Sequence, residues 1–209
     1  MAENREETLM KNFVSALNEV FKNDFFEFKK DAYKKISAGG FVSLKKALSN
    51  INNIVTLKIT NLFIEKLCDD EFISNVQKDE MIENSNKQKA NANGYDVEYT
   101  AHGNLKDSKN ILAEVKCNIP VGKTQFGSAQ KAGILKDIEG LLNGEEKSKS
   151  SLSTTKDYFK FMVFMDYTED GCNVRKSVNE LLTPYKEKVI ITSDKVKDVD
   201  KDHVYIIYI

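Results

Sequence analysis

The sequence predicts an α/β fold, a mixed β-sheet flanked by helices, preceded by an N-terminal helical extension. Apolar residues recur at three- and four-residue steps from Glu6 to about Leu67, which is helical spacing. Two later segments, 95–102 and 111–118, alternate strictly between apolar and polar, as half-buried strands do. Helix-like and strand-like patterns then interleave to residue 209. A chain of 209 residues suits one sizeable core with an appendage and is short for two full α/β domains. Residues 1–50 are read as the helical extension and 51–209 as the core.

In the extension, Leu9, Phe13, Ala16, Leu17, Val20 and Phe21 paint one stripe, continued by Phe25, Phe26, Phe28 and Tyr33. Gly39-Gly40 is expected to be a hinge or helix end, because paired glycines lose much backbone entropy inside a helix. Phe41, Leu44, Leu48, Ile51, Val55, Ile59, Leu62, Phe63 and Leu67 resume the spacing, in two segments meeting near Asn50-Ile51-Asn52-Asn53. A surplus of such apolar positions would serve a dimer. Glu71–Val76 reads as a short strand and 77–93, rich in Lys and Asn, as a solvated connection.

An antiparallel hairpin follows. Tyr95, Val97, Tyr99 and Ala101 alternate with Asp96, Glu98, Thr100 and His102; Ile111, Ala113, Val115 and Cys117 alternate with Leu112, Glu114, Lys116 and Asn118. It should present one apolar and one mostly polar surface, and symmetric pairing about its turn would set Asp96 opposite Lys116 and Glu98 opposite Glu114. Ser128 is a candidate cap for a helix whose apolar positions run from Ala129 to Leu142, before Asn143-Gly144 stops it. The segment 145–157 reads as a loop. Tyr158–Tyr167 is apolar on both faces, which suggests a central buried strand. A short helix over Val174–Leu182 and strands over 189–192 and 203–209 complete the order.

Composition excludes several classes. Apolar residues make up 41%, charged residues 30%, and prolines number two, so the chain is neither disordered nor fibrous. No apolar run approaches the roughly 20 residues of a membrane helix, and the acidic start is unlike a signal peptide, so a cytoplasmic protein with no membrane partner is expected. Cys68, Cys117 and Cys172 lack the spacing of a zinc knuckle or a disulfide framework. With only His102 and His203, histidine chemistry is disfavoured, and carboxylates and lysines are left to carry any reaction. The net charge of −1 argues against a polybasic binder, and two arginines stand beside 29 lysines. Gly122-Lys123-Thr124 imitates the end of a P-loop, but Cys117 stands where its first glycine belongs and Pro120 interrupts the loop.

Four acid-x-Lys triplets occur: Glu27-Phe28-Lys29, Asp107-Ser108-Lys109, Glu114-Val115-Lys116 and Glu145-Glu146-Lys147. Only Glu114-Val115-Lys116 lies in an alternating strand, where a period of two puts Glu114 and Lys116 on one face and anchors Val115 in the core. Paired carboxylates suit a hard cation such as Mg²⁺. A neighbouring lysine can orient water and offset charge building on a phosphate. The same residues also suit an exposed sheet face carrying ordinary Glu–Lys pairs, each worth about 0.2–1 kcal/mol.

The run Asn93-Gly94-Tyr95-Asp96, followed by Ile111-Leu112-Ala113-Glu114-Val115-Lys116-Cys117, an amphipathic helix and a buried strand, resembles the PD-(D/E)xK nuclease superfamily. The likeness covers about residues 51–209, with Tyr95 standing where the name-giving proline would be. It implies a restriction-endonuclease-like core, with Asp96, Glu114 and the Val115 carbonyl as metal ligands for Mg²⁺ (Mn²⁺ as a substitute). Lys116 would position or activate water. Glu65 matches an accessory acid from the preceding helix, Glu98 is a further acid beside the site, and Gln130 or Lys131 matches a polar residue early in the following helix. Lys123, Lys131 and Lys136 would lie near a nucleic-acid backbone. The expected activity is a Mg²⁺-dependent endodeoxyribonuclease of type II restriction character, acting on double-stranded DNA as a homodimer. The alternatives are an inactive nuclease-fold module that binds DNA or protein, and a structure-selective repair nuclease.

Overall fold

Ser37 opens the first long helix among the described residues. Gly40 N donates to Ser37 Oγ at 3.1 Å and Phe41 N to Ser37 O at 3.0 Å, so Gly39-Gly40 falls in the first turn of α1 (Ala38–Asp69) and marks its start. The computed structural model describes residues 14, 15, 18, 37–87, 94–101, 108–120, 125–144, 152, 154–169, 171–192 and 195–209. The chain divides into two compact units, Met1–Ile51 and Asn52–Ile209. The stripe from Leu9 to Tyr33, His102 and Gly122-Lys123-Thr124 lie outside the described residues. Helix α1 runs unbroken through Asn50-Ile51-Asn52-Asn53, where two segments were expected. An asparagine costs a helix no more than about 0.7 kcal/mol relative to alanine, too little to break a spacing kept on both sides.

No strand forms at Glu71–Val76. Glu71 turns the chain at a left-handed φ of 60°. Phe72 N and Ile73 N then both donate to Leu67 O, at 2.9 and 3.2 Å, and the two side chains drop into the core. Ser74 caps helix α2 (Asn75–Lys87), its Oγ accepting from Gln77 N at 3.2 Å. Most of the expected solvated connection is therefore helical. Its buried face is Gln77, Met81 and Ser85, at four-residue steps but mostly polar, so apolar periodicity could not reveal it. Gln77 is satisfied by backbone: its Nε2 donates to Lys109 O at 2.6 Å and its Oε1 accepts from Lys109 N at 3.1 Å.

The sheet has five strands, β1 (Val97–Tyr99), β2 (Ile111–Lys116), β3 (Phe159–Phe164), β4 (Val189–Ile191) and β5 (Val204–Tyr208), in the order β1-β2-β3-β5-β4. β1 is antiparallel to β2, and the other pairings are parallel, which makes this a mixed α/β sheet. Helix α3 (Ser128–Asn143) connects β2 to β3, and α4 (Val174–Leu182) follows β3 with a 3₁₀ turn at Thr183–Tyr185. β3 occupies the centre, as its apolar composition requires.

Both faces are covered. On one, Ile59, Phe63 and Leu67 of α1 and Met81 of α2 join Val97, Ala113, Phe161 and Tyr205 in one core cluster. On the other, Ile134, Ile138 and Leu141 of α3 and Val178 and Leu182 of α4 join Leu112, Met162, Phe164 and Ile206. A parallel β2–β3 pair needs a crossover, and α3 supplies it by lying over the face that the hairpin was expected to leave polar. Leu112 and Glu114 are consequently buried. The register differs too: Val97 faces Ala113, Glu98 faces Leu112 and Tyr99 faces Ile111. Continued by one residue, it sets Asp96 opposite Glu114 rather than Lys116. Asn110 joins the two strands beyond the last paired residues with its side chain, its Oδ1 accepting from Ala101 N at 2.8 Å. Among the described residues no helix is long and apolar enough to cross a membrane.

Candidate active site

The carboxyl ends of the parallel strands form the edge at which open α/β sheets bind ligands. Lys116 ends β2 there, and Asp96, just ahead of the antiparallel β1, reaches the same edge. Tyr95 is buried and donates its hydroxyl to Gly140 O of α3 at 3.2 Å, which fixes the residue before Asp96. Asp96 Oδ2 accepts from Val115 N at 2.8 Å. This bond ties the acid to β2 and aims it along the strand edge that carries Glu114 and Lys116. In a strand the N–H and C=O of one residue leave on the same side, so the Val115 carbonyl also faces Asp96.

Glu114 is almost fully buried, its side chain 6% exposed, and its Oε2 lies 4.0 Å from Lys116 Nζ. Lys116 also pairs with Asp137 of α3. Burial pushes the Lys116 ammonium down, but the carboxylate of Asp137, with smaller contributions from Glu114 and Asp96, holds it above the usual lysine value. Lys116 is therefore held as a charged hydrogen-bond donor by the carboxylates around it. Cys117 continues the strand on the opposite face. Burial pushes its thiol up, and Thr56 Oγ1 donates to its sulfur at 3.9 Å, so it is a packed thiol and no nucleophile.

Asp137 is the residue that sequence reasoning missed. It lies three residues after Ile134 and four before Leu141, both buried, so an acid occupies the inner stripe of an amphipathic helix. That placement was a readable signal, because an inward acid needs a cationic partner.

The accessory candidates do not converge. Glu65 is exposed on α1. Glu98 sits opposite Leu112 and, with Asp96, Met81, Ser85 and Tyr99, lines a shallow pocket at the β1 edge. Gln130 braces the start of α3: its Oε1 accepts from Gly127 N at 2.9 Å and its Nε2 donates to Ile119 O at 3.1 Å. Gly127, not Ser128, is the cap residue, because this brace satisfies the helix end. Lys131 is half-buried in the first turn, and Lys136 is exposed on the same helix.

Among the described residues no three Asp, Glu, His or Cys side chains are grouped to hold a metal ion. Asp96, Glu114 and the Val115 carbonyl present oxygen atoms only, the donor type that hard divalent ions take. Comparison of the chain with protein-family models, curated proteins and solved structures finds no match.

Proposed function

We propose that the chain is a Mg²⁺-dependent endodeoxyribonuclease of the restriction type, built on a restriction-endonuclease-like core and acting on double-stranded DNA. The observation that supports this reading is the bond from Val115 N–H to Asp96, which joins an acid from one strand to the acid and lysine of its neighbour at a ligand-binding edge. Asp96, Glu114 and the Val115 carbonyl would hold Mg²⁺, with Mn²⁺ as a substitute, and such an ion supplies an acidified water and charge neutralisation at a phosphate. The chain's own residues do the remaining work. Asp96 is oriented by a backbone bond rather than by solvent. Glu114 is held nearly dry beside Lys116, which strengthens its field. Lys116, kept protonated, donates hydrogen bonds to a water or to a phosphate oxygen and stabilises the charge that develops there. Cutting both strands in one encounter needs two such sites, so the acting species is a homodimer; Ile54 and Leu62, exposed on α1, offer apolar surface for pairing.

One observation favours a second reading, a nuclease-like module that binds without turnover: Lys116 already spends its charge on Asp137. Incubation with plasmid DNA separates the two. The nuclease reading expects Mg²⁺-dependent cutting that a chelator stops and that Lys116→Ala or Glu114→Gln lowers by about a hundredfold or more. Binding of DNA without cleavage over varied substrates, metals and pH would leave the second reading standing.

A further inference from the structure

Arg175 is the one arginine among the described residues of a chain that uses lysine 29 times. It lies in the first turn of α4, and its Nε and Nη2 both donate to Asp166 Oδ2, each at 2.9 Å. The guanidinium stands 4.8 Å over the ring of Tyr208. These two partners fix the fork from behind and beneath, yet the side chain stays 54% exposed. Two contacts to one carboxylate oxygen leave the Nη1 edge of the fork turned away from Asp166. A lysine could satisfy Asp166 as a point charge; a planar fork held by stacking is what arginine adds.

The position matters more than the pair. Lys116, Phe164 and Tyr208 are consecutive neighbours across β2, β3 and β5, so all three side chains leave the sheet on the face covered by α3 and α4. Two strand spacings separate Lys116 from Tyr208, about 10 Å. That separation is within the reach of neighbouring backbone phosphates of one strand. The cluster also carries polar atoms that its own packing does not use. Asp166 Oδ1 and Tyr208 Oη are buried and make no hydrogen bond among the described residues, an arrangement poorly suited to a purely stabilising ion pair. Burial pushes the Tyr208 hydroxyl up to about 12, so it remains a neutral donor.

We infer that Arg175 is a second anion contact, one that grips a backbone phosphodiester neighbouring the group held at Asp96, Glu114 and Lys116 on the same nucleic-acid strand. Asp166 and Tyr208 are its positioning residues. The inference rests on the nuclease reading for its ligand, and it adds the direction in which the strand crosses the sheet edge, from β2 over β3 towards β5.

The test is a fluorescence-anisotropy titration of a labelled DNA duplex across a sodium chloride series, with Ca²⁺ replacing Mg²⁺ so that no cutting occurs. Arg175→Ala is expected to weaken binding by roughly tenfold and to lower the slope of log affinity against log salt by about one, with thermal unfolding unchanged. Arg175→Lys should recover the slope but not the full affinity, because charge returns without the fork. In Mg²⁺, Arg175→Ala should raise KM and leave kcat nearly intact. Should Arg175→Ala fold poorly, Arg175→Gln, neutral and shorter but still carrying a hydrogen-bond donor and its aliphatic stem, gives the same comparison. An unchanged salt slope in either neutral variant overturns the inference and leaves the nuclease reading in place if the wild-type chain still cuts DNA. Failure of the wild-type chain to cut any DNA is the separate result that counts against the nuclease reading.

Discussion

Lys116 is held by three carboxylates of unequal reach: Asp137 pairs with it directly, Glu114 stands 4.0 Å away, and Asp96 contributes through space. The Lys116 and Asp137 side chains are 20% and 21% exposed, between a surface pair and a sealed one. Asp137→Asn is expected to cost about 1–3 kcal/mol, measured by denaturant unfolding at neutral pH. The sign with pH follows from the direction of the shift. A lysine raised above its ordinary 10.5 adds stability that is complete below that value and is lost as pH climbs through the folded one. The gap between wild-type and Asp137→Asn chains should therefore hold from neutral pH to about the ordinary lysine value and shrink above it; a gap that widens there would reverse the account. Asp137 also shows what single-residue reading can overlook. Glu114 and Lys116 were legible from strand alternation, whereas their partner comes from a helix, where an acid between Ile134 and Leu141 passes for a break in the apolar stripe.

Elements were legible where an apolar period was strong and illegible where polar side chains did the packing. α4 was read to its bounds and β3 to within three residues, because Asn173 caps a short amphipathic helix with its Oδ1 accepting from Lys176 N at 2.8 Å and Phe159–Phe164 is apolar on both faces. α2 was not, since its inward positions are Gln77, Met81 and Ser85. The Ser74-x-x-Gln77 spacing does match a capping box in sequence, but Gln77 spends its amide on Lys109 instead of on the cap. That two-way bond links α2 to the start of β2. Gln77→Ala would leave a buried backbone N–H and C=O short of partners, and a loss of about 1–3 kcal/mol is expected in thermal or denaturant unfolding. A loss within error would show that the contact is dispensable. The hairpin register was likewise misread, since Glu98 was expected opposite Glu114 and lies opposite Leu112. Lys160 is a further surprise within β3: it is 3% exposed, its Nζ donates to Lys201 O, and burial pushes its ammonium below the ordinary lysine value.

Across the core, residues 52–209, the sheet does two jobs with its two faces. One is sealed by α1 and α2 over an apolar cluster that includes Phe63, Phe161 and Tyr205. The other carries α3 and α4, and at its carboxyl edge the apolar contacts give way to charge, first Glu114, Lys116 and Asp137 and then, two strands across, Asp166 and Arg175. The mixed sheet and its flanking helices were legible from the interleaving of periods. Which face would be covered was not, because that depends on the parallel pairing of β2 with β3. Asp96 and Glu114 are proposed to act together as oxygen ligands beside a protonated Lys116. Calorimetric titration with Mn²⁺ at neutral pH tests this proposal most directly. Saturable uptake by the wild-type chain, lost in Asp96→Asn and in Glu114→Gln while circular dichroism shows both variants folded, is the expected result. No uptake by the wild-type chain, or uptake that both variants retain, would contradict it.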